Sequence, residues 1–394
     1  MNILRSRYPN GQILVLNLGS SSLKFSLIHS ISLEKEKSGS ITGIGSSEAV
    51  MEILPKESGH STKKVFMNLN LQGAIQELIE WVNEGAIIAI GYRVVQGGPS
   101  HISPELVNET LLVDLEAYVY LAPNHLPDEI KLIRAFTHAY IDIPHFACFD
   151  TYFHKDMPAR SKFYPLPEKY RKMGLLRYGF HGLSYESIFH QLQEEDINVA
   201  NQKIIIAHLG SGSSMVAISN GTSEDTTMGI SPMGGLVMAT RPGDLDPGAI
   251  LFMLKQDQLS VQQLDVILSN ESGLKAIAGT IDMKSILENR NKDQKSGEAL
   301  DLFCYQAKKQ IGSLAASLGG IDCLVFCGGI GENSALVREI ICADMEFIGI
   351  TLNLPSNANN DRIISGSNSK VVVKVMKTDE QLMIAMHIKN ILLI

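Results

Sequence analysis

At 394 residues, with 45% hydrophobic and 19% charged residues, the chain has the make-up of a soluble globular enzyme with two domains and ample core. A formal net charge of −8 argues against nucleic acid as a partner. No run reaches the ~18 apolar residues of a membrane helix, and the N-terminal stretch MNILRSRYPNGQ makes a poor signal peptide, so a cytoplasmic protein with no membrane partner is expected. The five cysteines (148, 304, 323, 327, 342) form no Cys-x-x-Cys and are expected to be buried, reduced thiols.

In chain order, Ile13–Leu16 predicts a strand, residues 17–22 a Ser-rich turn, and residues 23–28 the returning strand. Residues 30–64 are polar and Gly/Ser-rich, predicting further hairpins with a strand at 51–54. Leu71, Ile75, Leu78, Ile79 and Val82 share one helical face. A strand over 86–90 runs into Gly91–Gly98, where Arg93 precedes paired glycines. Arg93 is a candidate anion ligand; a solvated loop arginine is the bland alternative. A rigid loop over 121–127 leads to a helix opened by Pro127, Asp128 and Glu129. The strand His145–Phe149 ends in Asp150, where α/β folds hold ligand-binding groups. His181 lies between two glycines before a helix from Ser184. It suits a side chain reaching a cleft, against the alternative of a surface histidine at an N-cap.

The central stretch, 203–248, predicts a strand at 204–207, a Gly/Ser turn at 208–214, a strand at 215–218 and a hairpin at Asn220-Gly221. Glycines and successive N–H groups suit an anion nest in that turn. Arg241, Asp244 and Asp246 follow in one loop. The segments VLNLGSSSLKFSLI and IAHLGSGSSMVAIS match in pattern, which suggests a duplication with two similar domains offering phosphate-sized loops to a shared cleft. Chance likeness of two common hairpins is the alternative. Helices are expected at 247–254, 261–268 and 298–318. A strand at 323–327 enters a glycine turn, 328–333, before a helix from Ser334, an arrangement that aims a helix N-terminus at a nucleotide. Residues 354–370 read as a polar loop and 371–376 as a strand. Thr378, Asp379 and Glu380 cap a last helix that runs almost to Ile394. Walker A, protein-kinase, His-Glu-x-x-His and Gly-x-Ser-x-Gly signatures are absent from the sequence.

The segments NLGSSSLKF (17–25), GYRVVQGG (91–98), LAPNHLP (121–127), FDTYFHKDMP (149–158), RYGFHGLSYE (177–186), HLGSGSS (208–214), ATRPGDLDPG (239–248), GGIGENSALVRE (328–339) and TDEQLMIA (378–385) resemble the acetate kinase family, in the family's order and over nearly the whole chain. The resemblance implies an α/β fold of two duplicated actin/Hsp70/sugar-kinase-like (ribonuclease H-like) lobes around a central cleft. The first lobe would span 1–152 plus 379–394 and the second 153–378. It also implies a homodimer that transfers the γ-phosphoryl of ATP reversibly to acetate, giving acetyl phosphate and ADP, with Mg²⁺ and Mn²⁺ as the alternative ion.

By the same resemblance, Arg93, Asp150, His181 and Arg241 are catalytic, with His125 in support. Arginine suits the work because its planar fork clamps carboxylate or phosphate oxygens. Asp150 would orient Arg93 or the metal, since an ionised carboxylate substrate needs no base. Arg93, Val95, Asn124, Phe180 and Pro232 would bind the carboxylate and its alkyl group. Ser20, Ser22 and Lys24 would face phosphate. His208, Leu209, Gly210, Ser211, Gly212, Asp282, Met283, Lys284, Gly329, Ile330, Gly331, Glu332 and Asn333 would bind nucleotide. Asn17 and Glu380 are the metal-linked positions. Tyr92, Gln96, Ser211, Lys284 and Asn124 depart from the family's usual residues. Lys284 for arginine bears on adenosine binding, and Asn124 for an apolar residue bears on the choice of acid. Two other readings are open: an actin- or Hsp70-like nucleotide switch, and a kinase that uses pyrophosphate.

Overall fold

The computed structural model describes residues 11–55, 61–82 and 87–393. The stretch read against a signal peptide lies largely outside them, as do Ala86 and Ile394. The chain divides into two compact units, Met1–Tyr152 with Asp379–Ile394, and Phe153–Thr378.

In the first unit the strands are β1 (Gln12–Leu18), β2 (Ser22–His29), β3 (Lys35–Thr42), β4 (Glu48–Pro55), β5 (Thr62–Met67), β6 (Ile87–Val94), β7 (Glu105–Leu106) and β8 (His145–Phe149). They form one sheet in the order β5-β4-β3-β2-β1-β6-β8-β7. β1, β6 and β8 run parallel, and β2 runs antiparallel to β1. The helix Leu71–Val82 buries Ala74, Ile75, Leu78 and Val82, close to the face that the periodicity predicts. The last helix, Glu380–Leu392, packs on the same sheet. A Cβ at Gly91 of β6 would stand 2.5 Å from both Ile384 and Ile388, so only glycine lets this helix lie so close.

The second unit holds β9 (Ile204–His208), β10 (Ser214–Ser219), β11 (Thr222–Thr226), β12 (Cys323–Cys327) and β13 (Val372–Val375), in the order β11-β10-β9-β12-β13. β9, β12 and β13 run parallel, and β10 is antiparallel to β9. Both faces of this sheet are covered. Ile205 and Ala207 pack with Phe303, Ala307 and Ile311 of the helix Gln294–Leu318, whereas Ile204 and Ile206 pack with Tyr185, Ile188 and Phe189 of the helix Gly182–Glu195. Double coverage is why β9 reads as a continuous apolar run rather than an alternation.

The two sheets share one plan. β3-β2-β1-β6-β8 and β11-β10-β9-β12-β13 have the same order and the same strand directions. The internal repeat seen in sequence is therefore a structural duplication. The β1–β2 turn corresponds to the β9–β10 turn. Asn220 and Gly221 (φ 51° and 72°) join β10 to β11 with the left-handed backbone a two-residue hairpin requires.

Several boundaries differ from the sequence expectation. The helix after His181 starts at Gly182, two residues early. Residues Gly328–Asn333 are a helix rather than a turn, followed by a second helix, Ala335–Cys342. Gly328 adopts φ 78°, which starts the helix directly from β12. The polar segment 354–370 contains the short helix Leu354–Ala358, capped by Asn353. Beyond Val266 the chain continues as a π-type turn, Ile267–Glu271. All five cysteines are buried. No helix among the described residues is long and apolar enough to cross a membrane.

Candidate active site

The chemistry-bearing residues fall into two sets, one in each unit. In the first unit, β6 carries Arg93 and the end of β8 carries Asp150. These strands are adjacent and parallel, so both residues reach the carboxyl end of the sheet together. Arg93 Nε donates to Asp150 Oδ1 at 3.2 Å, and Nη2 donates to Oδ2 in a bidentate pair. Nη1 donates to the Leu18 carbonyl at the end of β1, 3.4 Å away. Asp150 is fully buried and the Arg93 side chain is 13% exposed. Burial works against the guanidinium charge, but Asp150, Glu380 and Glu129 outweigh it and hold Arg93 above its ordinary pKa. The solvated-loop alternative for Arg93 is thereby excluded.

Asn17, in β1, donates through Nδ2 to Glu380 Oε2 at 2.6 Å. Asp379 caps the last helix by accepting from the Leu382 amide, which fixes Glu380 in its first turn. In the β1–β2 turn the Gly19 amide donates to the Ser22 carbonyl at 2.7 Å. That amide is spent inside the turn and takes no part in an anion nest. Ser20 and Lys24 are exposed and Ser22 is half-buried. Val95 is buried, His125 is half-buried at the start of the helix Leu126–Ala139, and Asn124 is exposed.

The departure at Tyr92 lies away from this set. Its hydroxyl pairs with His145 Nδ1 at 2.7 Å inside the core. Gln96 is likewise buried and accepts from the Gly98 amide at 2.9 Å.

In the second unit, His181 has φ 58°, the left-handed region that side-chain-bearing residues seldom adopt. This backbone turns the imidazole toward the β9–β10 turn. Nδ1 shares a hydrogen bond with Ser214 Oγ at 2.7 Å, and the ring stacks on His208. His181 does stand at the N-cap of the helix, half-buried, but its ring is held by these contacts rather than by capping. A Cβ at Gly212 would stand 3.3 Å from His181 Nε2 and 3.8 Å from Arg241 Nη1, so the two side chains converge over this glycine. Arg241 Nη1 also donates to the Pro232 carbonyl at 3.2 Å. Phe180 is buried directly before His181.

The β9–β10 turn also meets the helix Gly328–Asn333. The Leu209 amide donates to the Cys327 carbonyl, and the Leu209 carbonyl accepts from the Ile330 and Gly331 amides. The Gly328 amide donates to the Glu332 side chain at 3.1 Å, and Asn333 donates to the Gly329 carbonyl. Most of the amides at this helix N-terminus are thus already used within the unit. Gly210, too, gives its amide to Ser213 Oγ at 3.2 Å. Ser211 is exposed and Gly212 half-buried. Asp282 caps the helix Met283–Asn289, accepting from the Lys284 and Ser285 amides. Met283 is a core side chain packed in the same cluster as Leu209, whereas Lys284 is exposed.

Three supporting residues carry no clear signal in sequence. Glu129, read only as a helix opener, is 2% exposed and accepts from the Val95 amide at 3.0 Å. Buried His154 shares hydrogen bonds with the Phe180 carbonyl at 3.1 Å and with Ser223, and burial pushes its pKa down to about 4. As a neutral ring it holds the turn ahead of His181. Arg338 is fully buried and donates to the carbonyls of Gly331, Glu332 and Asn357. Only long-range pairing reveals such roles.

The Acetokinase family matches residues 12–386. The acetate kinase of Protochlamydia amoebophila (strain UWE25) is 40% identical, with 95% of this chain and 98% of that protein covered. The acetate kinase of Rickettsia typhi (strain ATCC VR-144 / Wilmington) is 38% identical over 96% of this chain and 99% of that protein. Among solved structures, a propionate kinase from Francisella tularensis subsp. tularensis SCHU S4 superposes with a TM-score of 0.89 at 33% identity, covering 95% of this chain and 98% of its own. The acetate kinase from Entamoeba histolytica gives 0.85 at 32% identity, covering 96% and 99%. With both sheets built on one duplicated plan and likeness of this extent along the whole length, the chain belongs to the acetokinase family.

Proposed function

We infer that this chain is an ATP-dependent acetate kinase, moving the γ-phosphoryl group reversibly between ATP and acetate. The observation that carries the reading is its near-full-length likeness to acetate kinases at 38–40% identity. In the forward direction a carboxylate oxygen attacks the γ-phosphorus. The bond to the bridging oxygen breaks, and ADP leaves with the electron pair. The carboxylate is ionised at neutral pH, so no proton has to be removed.

The catalytic demand is alignment and charge neutralisation. Arg93, held by Asp150, would clamp the carboxylate in its planar fork. Arg241 and His181 would stabilise the equatorial oxygens of the phosphoryl in transit, with His125 in support. Asp150 would orient Arg93 rather than act as a base, in keeping with their bidentate pair. Val95, Asn124, Phe180 and Pro232 would shape the alkyl pocket. Ser20, Ser22 and Lys24 would contact phosphate. The segments 208–212, 282–284 and 329–333 would receive the nucleotide. The unit that ends with the last helix would thus serve the carboxylate side and the other unit the nucleotide side.

Mg²⁺ would be bound at Asn17 and Glu380, with Mn²⁺ as the alternative ion. One amide and one carboxylate are hard oxygen donors that fit an ion keeping most of its shell as water and phosphate oxygens. Among the described residues no group of three or more His, Cys, Asp or Glu could form a closed metal cage. When bound, the ion would offset phosphate charge. A cytoplasmic homodimer is part of the same reading.

The test traps acyl phosphate as hydroxamate, with Mg²⁺ and either ATP or pyrophosphate, across acetate, propionate and butyrate. Best turnover with ATP and acetate is expected. Faster turnover on propionate would reassign the alkyl pocket, and no product with ATP would sink the donor assignment.

A further inference from the structure

The first unit holds one more acid than the reaction needs. Glu129 lies in the helix Leu126–Ala139 and is 2% exposed. Its Oε2 accepts from the Val95 amide at 3.0 Å, and its Oε1 is buried without a hydrogen-bond partner. Val95 follows Arg93 by two residues, so the Glu129 carboxyl is tied to the strand end that carries the arginine. Arg93 and Asp150 face Glu129 from β6 and the end of β8, and Asp128 adjoins it on its own helix. His125 precedes it by one turn and accepts its amide. Glu380 acts on the same arginine.

Three carboxyl groups therefore act on one guanidinium, Asp150 by direct contact and Glu380 and Glu129 through their charge. Asp150 already neutralises Arg93, so an ionised Glu129 adds a negative charge where an anionic substrate must bind. A buried carboxylate with a single hydrogen bond is poorly stabilised, and a neutral carboxyl is far cheaper to bury. We propose that Glu129 is a positioning residue that stores a proton beside the Arg93–Asp150 pair: protonated, it leaves the Arg93 charge to the incoming carboxylate; ionised, it competes for that charge and weakens carboxylate binding. Burial, opposed by Arg93 and the Val95 amide, pushes this carboxyl up to about 7, so the proton exchanges in the working range. Binding of an anion next to it raises the carboxyl's proton affinity further, so carboxylate binding takes up a proton. The proposal rests on the assignment of Arg93 to the substrate carboxylate.

The experiment compares wild type with Glu129→Gln, which keeps the acceptor for Val95 and cannot ionise. Acetate KM is measured at saturating MgATP from about pH 5.5 to about pH 8.5, with calorimetric proton uptake on acetate binding in two buffers of different ionisation enthalpy. In wild type, acetate KM should rise about tenfold through neutral pH, the effect of one pK unit of coupling. In Glu129→Gln the rise and the proton uptake should vanish, with KM for ATP unchanged. Superimposable pH profiles and equal proton uptake in the two proteins would overturn the proposal. Glu129→Asp provides a second check. It should keep the slope with a displaced midpoint, and an unmoved midpoint would count against Glu129. Absence of acyl phosphate from wild type at every pH would sink the functional reading itself, and this proposal with it.

Discussion

His181 stacks on His208 with ring centroids 4.4 Å apart and ring planes 29° apart, while its Nδ1 shares a hydrogen bond with Ser214 Oγ. The two contacts fix both tilt and rotation of the imidazole, leaving Nε2 toward Gly212 and Arg241. Ser214 is fully buried and also pairs with the Tyr185 hydroxyl. Removing its hydroxyl should loosen His181 without emptying the site. Ser214→Ala is expected to lower kcat about tenfold with little change in either KM, the pattern of an interaction made mainly in the transition state. Its stability should fall by about 1–2 kcal/mol. A raised KM at unchanged kcat would show that Ser214 serves binding instead.

Arg241 makes the stronger claim. Its guanidinium lies over Gly212 beside His181, held by the Pro232 carbonyl. A transition-state arginine is worth ~10³–10⁵ in rate. Arg241→Ala should therefore lower kcat by at least ~10³ while the protein unfolds at its normal temperature. Single-turnover rates near wild type would remove Arg241 from the mechanism.

Asp150 can be tested through stability as well as rate. Its carboxylate is fully buried against a guanidinium that is itself 13% exposed. Breaking a buried pair from one side costs about 3–5 kcal/mol, because the remaining charge loses its partner. Asp150→Ala should show that loss in urea unfolding, together with a large fall in turnover. Asp150→Asn should lose less stability, since the amide oxygen still accepts from Arg93. Equal stability of the two variants would mean that Arg93 finds another partner, such as Glu380.

Most sheet strands and the duplication were legible in the sequence because their signals are local, whereas the two-residue β7 carried none and β6 runs on through Arg93 to Val94, beyond the expected end at residue 90. β9, β12 and the two Gly/Ser turns are apolar runs and glycine patterns within a few residues. The helix Leu71–Val82 was legible from its period alone. The helix Gly328–Asn333 was not, because glycine is a poor helix former and the segment is held from outside by the Leu209 carbonyl. The same non-local bonds conceal that most of its amides are already spent. Glu129 looked like a first-turn acid, a common and bland feature. Its burial against the Val95 amide depends on a residue on a different strand.

Gly328 ties the two glycine segments of the second unit together. At φ 78° its Cβ would stand 2.7 Å from the Leu209 carbonyl oxygen, a backbone atom that cannot swing aside. Gly328→Ala should push the β9–β10 turn and the helix Gly328–Asn333 apart. A rise of at least ~10-fold in KM for ATP is expected, with a stability loss of about 1–3 kcal/mol for backbone strain. Acetate KM should change little. An equal rise in both constants would show a general distortion rather than a nucleotide-side effect.

The proton on Glu129 also sets how stability depends on pH. Its carboxyl is raised from 4.5 to about 7 in the folded protein, chiefly by burial. The folded state thus binds this proton more tightly than the unfolded chain. The resulting stabilisation is fully present below about pH 4.5 and is lost as pH rises through about 7. Glu129→Gln cannot ionise and escapes that loss. Relative to wild type it should therefore gain stability steadily between about pH 5 and about pH 8, by an amount on the order of 2–3 kcal/mol. Chemical unfolding of both proteins across that range measures the difference directly. A gap that stays constant with pH would mean that Glu129 keeps its charge throughout, and the carboxyl would then belong with Asp150 as a permanent counter-ion of Arg93.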